Sequence, residues 1–118
     1  MRAQSLTALE QGRALFNARR FFDAHEAWEA AWLTETGPDK LLLQGLIIAA
    51  AGCHKVTVRE PRGAVKLLSR ALELLAPFAD DEAGLPLKPF RTRLAQLLDQ
   101  ARGWHAGTAA QPTPTLPL

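Results

Sequence analysis

The stretch Phe21-Phe22-Asp23-Ala24-His25-Glu26-Ala27-Trp28-Glu29-Ala30-Ala31-Trp32 decides the fold. It is rich in alanine and glutamate, which favour helix, and at about 100° per residue Phe21, Ala24, Trp28 and Trp32 share one apolar sector. His25 sits at the edge of that sector, Glu29 just beyond it, and Glu26 points furthest toward solvent. This is an amphipathic helix running to about Glu35, where Thr36-Gly37-Pro38 breaks it.

Helices follow on both sides of that stretch. Ser5 can cap a first one reaching about Ala18, with Leu6, Leu9, Ala14 and Phe16 in an apolar stripe. Asp39 is placed to cap a third, continuing to about Val58 and apolar on nearly every side, as befits the helix that others surround. Along it Gly45, Ala49, Gly52 and Val56 recur at helical steps and leave a low stripe where a neighbour can approach closely. Pro61 suits the first turn of a fourth helix that carries Ala64, Leu67, Leu68, Ala71, Leu72 and Leu75 at helical spacing until Pro77 ends it. A fifth runs from about Leu87 to Trp104, with Phe90, Leu94, Leu97, Leu98 and Ala101 on one side. Residues 105–118, rich in Pro, Thr and Ala, read as a disordered tail, which leaves 1–104 as a single helical domain.

An offset of 40 residues aligns Gly12 with Gly52, Ala24 with Ala64, Trp28 with Leu68 and Ala31 with Ala71. The small, small, large, small order resembles the tetratricopeptide helix hairpin, although Ala8 stands where that repeat has an aromatic residue. The expected architecture is all-α: a bundle of about five helices, made of two stacked antiparallel hairpins and a C-terminal helix.

Composition narrows the function. The chain has 118 residues, a net charge of +2 and one cysteine, Cys53, among small residues, so no internal disulfide is possible and a reducing, cytoplasmic setting is expected. Glu10, Gln11 and Arg13 interrupt any signal peptide, and the apolar run from Leu41 to Cys53 is well short of the roughly 20 residues a membrane span needs. Arg59, Arg62, Lys66 and Arg70 follow helical spacing and read as a solvated charged face, so nucleic-acid binding is not indicated. A Gly-rich phosphate loop, a Ser-His-Asp arrangement and paired cysteines are all missing, which removes the strongly signposted enzyme classes.

The candidate chemistry lies between helices two and three. His25 and Glu29 are four apart, so the carboxylate can orient the imidazole, with Glu26 at the rim and Gln44 or His54 from the third helix completing a polar cluster. His25, Glu29 and His54 together have the makings of a metal site, but the His-Glu-x-x-His spacing is lacking because Glu29 occupies the position three after Glu26. No metal and no cofactor is expected. Trp28 and Trp32 read as core aromatics with pocket lining as the other use, and His54, flanked by Leu43, Ile47, Ala50 and Val58, reads as a core histidine.

The segments Phe21-Phe22-Asp23-Ala24-His25-Glu26-Ala27-Trp28-Glu29-Ala30-Ala31-Trp32 and Leu42-Leu43-Gln44-Gly45-Leu46-Ile47, with Gly63-Ala64 and Leu67-Leu68, resemble the prokaryotic domain of unknown function 309 across about residues 12–76. The resemblance implies a helical bundle without an established activity. Its motif histidine and acids fall on His25, Glu26 and Glu29, and its second motif falls on Gln44 and Gly45.

The functional expectation is a non-enzymatic interaction or scaffold module with a protein partner or small ligand. The alternative is a small ligand-binding protein or metal-assisted hydrolase built on the His25–Glu29 cluster. Trp104 with Leu97-Leu98 leaves the oligomeric state open.

Overall fold

Five helices follow one another in a computed structural model that describes all 118 residues: α1 (Ala3–Asn17), α2 (Phe21–Trp32), α3 (Gly37–Thr57), α4 (Pro61–Leu75) and α5 (Leu87–His105), with a 3₁₀ turn at Glu82–Gly84 before the last. Each packs on the next, α1 on α2, α2 on α3, α3 on α4 and α4 on α5. The all-α class and the hairpin packing expected from the apolar periodicity are what the chain adopts.

Helix ends depart from expectation where long-range contacts compete with local ones. α1 begins at Ala3 and has no side-chain cap of its own; Ser5 lies inside it and is buried. The capping role passes to Glu35, whose carboxylate accepts the Arg2 N–H at 2.9 Å. α2 stops at Trp32, short of Glu35, and the turn that follows carries Glu35 to the head of α1. Asp39 does not cap α3 but sits in its first turn, after Pro38, where the helix dipole favours a negative charge.

The 40-residue offset is a structural repeat. Arg19 and Arg59 both stand at φ 61, the left-handed conformation normally left to glycine. Around them the Arg19 N–H bonds Phe16 O and the Arg20 N–H bonds Leu15 O, and the same pair recurs from the Arg59 N–H to Val56 O and the Glu60 N–H to Lys55 O. These are the two bonds of a Schellman helix end, made twice. Inside each hairpin a glycine of the first helix receives a large side chain of the second. A Cβ on Gly12 would overlap the Trp28 indole, and one on Gly52 would stand 2.8 Å from Leu68 Cδ2. The low stripe read on α3 is therefore where α4 lies, with Leu75 over Gly45 in the same manner.

Phe16 joins the helices at the centre of the core. Its ring centroid lies 5.1 Å from that of Phe21, 5.7 Å from Trp28 and 5.7 Å from Phe90, linking α1, α2 and α5. Leu42, Leu43, Leu46, Ala49, Ala50, Cys53 and Val56 bury much of α3, as its apolar circumference requires.

The last residues correct the reading of a disordered tail. After Gly107 the chain turns back, Gln111 Nε2 donates to Val56 O at 2.8 Å, and Leu116 and Leu118 join the core. Composition concealed the reason: Pro114, Leu116 and Leu118 alternate with Thr113, Thr115 and Pro117, giving an extended segment one apolar edge. No helix is long and apolar enough to cross a membrane.

Candidate functional site

α2 and α3 run antiparallel, so the start of α2 stands beside the end of α3. This brings His25, in the second turn of α2, to the same cleft as His54, in the last turn of α3. The cleft is open, holds about 260 Å³, and is lined by Phe22, His25, Ala51, His54 and Lys55. The Phe22 ring stacks 6.1 Å from that of His25 and lies 5.4 Å from that of His54, with 52% of the residue exposed.

His25 and Glu29 approach as their spacing predicts, but only to 3.7 Å between Nδ1 and Oε2, within ion-pair range and beyond a hydrogen bond. Nδ1 is buried and has no hydrogen-bond partner, so the part of the imidazole that solvent reaches lies on its other atoms. Glu29 and Glu26 are exposed. His54 is not the core histidine expected: it is half-buried, and its imidazole makes no hydrogen bond, while its backbone carbonyl accepts the Thr57 hydroxyl at 2.7 Å and the Val58 N–H at 3.0 Å. The core position belongs to its neighbour Cys53, wholly buried, where loss of solvent pushes the thiol far above its ordinary range and leaves it no nucleophile.

Gln44 does not join this cluster. It lies ten residues before His54, roughly 15 Å along the helix, and makes no side-chain hydrogen bond to either histidine or to Glu29. Trp28 is wholly core, its indole N–H donating to Leu9 O at 3.0 Å. Trp32 is partly exposed at the far end of the α2–α3 seam, with Lys40 Nζ 4.1 Å from its ring centroid. No three His, Cys, Asp or Glu side chains are grouped to hold a metal ion. On α4, Arg70 pairs with Glu73 at 3.1 Å, while Arg62 and Lys66 flank a second open cleft with His105. Arg59 is exposed in the turn before them.

Sequence reasoning missed Phe22 and Lys55 as cleft residues. The signal was present, since Phe22 precedes His25 by one helical turn and Lys55 adjoins His54. It also missed Glu35, which is 5% exposed and whose carboxyl the Arg2 N–H holds below the ordinary range. Nothing local marks that role, because the partner is 33 residues away.

Residues 9–67, half of the chain, match the family described as Domain of unknown function (DUF309). The match takes in most of α1, all of α2 and α3, the first half of α4, and with them every residue of the histidine cleft. No curated protein matches the chain. The chain belongs to the domain of unknown function 309 family.

Proposed function

We propose that the protein is a non-enzymatic binding module whose recognition site is the α2–α3 cleft, and that it takes a small ligand or partner side chain joining an apolar or aromatic group to a carboxylate. The observation that carries this reading is the Phe22 ring, half exposed over an open cleft and flanked by the imidazoles of His25 and His54. An apolar platform with a few polar groups at its edge is how small-molecule sites combine affinity with orientation. Lys55 adds an ammonium at the rim, held by Glu60 at 2.5 Å, so a ligand carboxylate would compete for it. Binding is favoured over turnover because the nucleophiles nearby are engaged elsewhere, Lys55 with Glu60 and Cys53 in the core.

Benzoate and its neutral analogue benzyl alcohol serve as probes. Benzoate binds the wild type more tightly, and Phe22→Ala and His54→Ala each weaken it about tenfold, the worth of one good contact. Both variants keep their melting temperature to within the small effect of a surface substitution. Benzoate binding that is absent, or untouched by both substitutions, refutes the proposal.

A further inference from the structure

The groove that residues 112–118 fill has the features of a peptide site. Side chains enter it alternately, with Pro114, Leu116 and Leu118 buried and Thr113, Thr115 and Pro117 exposed, the register of an extended strand. The backbone is held as well. The Asn17 carboxamide accepts the Leu118 N–H at 2.8 Å and donates to the Leu118 carbonyl at 3.2 Å, and Arg13 Nε donates to that same oxygen. One carboxamide satisfying both polar groups of a peptide residue offers what a neighbouring strand would, whatever side chain that residue bears. Beside the segment, Phe16, Phe21 and Arg19 join Pro114, Leu116 and Pro117 in lining a half-open notch of about 140 Å³.

We infer that this α1 groove is a docking site for an extended segment of a partner protein with apolar side chains at alternate positions. Residues 112–118 occupy it in cis and leave when the partner's segment docks. The site is separate from the α2–α3 cleft, so its test is independent of the benzoate experiment.

The test uses the full chain carrying Leu116→Asp and Leu118→Asp, which places carboxylates where the groove is apolar, and a fluorescent peptide copying residues 110–118. The double variant is expected to keep its helical circular dichroism and to bind the peptide at least about tenfold more tightly than wild type, whose tethered tail competes at an effective concentration on the order of millimolar. Adding Asn17→Leu to the double variant weakens the peptide about tenfold. In the wild type, the Leu118 amide exchanges with solvent at least about tenfold faster than core helix amides, because the tail opens without global unfolding. A folded double variant that binds no better than wild type overturns the inference. So does a double variant that loses its helices, or a Leu118 amide protected as strongly as the core, since either makes the tail a fixed part of the fold.

Discussion

Trp28 is wholly buried, with its indole N–H on the Leu9 carbonyl and its five-membered ring against Gly12. Trp28→Phe keeps a ring but removes the donor and leaves a void, so urea unfolding is predicted to show a loss of about 2 kcal/mol with an unchanged slope. Glu35 acts through charge. Its folded carboxyl titrates below the ordinary value of 4.5, so its stabilisation is complete above that pH and is lost as pH falls through the lower, folded value. Glu35→Gln therefore lowers the melting temperature at neutral pH and flattens the acid-side decline; a variant with the wild-type pH profile would contradict the assignment. Trp28 was legible as core because one helical turn of pattern fixes it. His54 was not, since a projection ranks faces of α3 but cannot tell that its last turn runs out beside Phe22.

At the scale of elements, both hairpins end their first helix on an arginine in the left-handed conformation. Arg19→Gly and Arg59→Gly should each stabilise by about 1 kcal/mol, the cost a Cβ incurs there, measurable as a raised denaturation midpoint. Gly52→Val should do the reverse through overlap with Leu68, and a neutral result would show that α4 does not pack as closely as described. The helices and their glycine seats were readable because apolar period and the 40-residue offset are properties of the sequence itself. The starts of α1 and α3 were not, because Glu35 and Pro38 override the Ser5 and Asp39 capping signals. The tail was misread for a different reason: composition is blind to alternation, and it is the alternation of Pro114, Leu116 and Leu118 that lets the segment pack.

At the scale of the whole molecule, the histidine cleft lies where the two hairpins meet, each contributing one helix. Under the repeat offset, Phe22 and His25 fall opposite Arg62 and Val65, and His54 and Lys55 opposite Ala14 and Leu15. The residues that build the hairpins recur and those that build the cleft do not, so the cleft chemistry is not a requirement of the packing. That separation supports the proposed recognition at the α2–α3 seam, which rests on the Phe22 ring between His25 and His54. Amide and imidazole chemical-shift mapping of the wild type during a benzoate titration tests it most directly. The predicted result is a saturable set of changes centred on Phe22, His25, Ala51, His54 and Lys55. Changes centred on Arg62, Lys66 and His105, with the α2–α3 cleft unmoved, would contradict it.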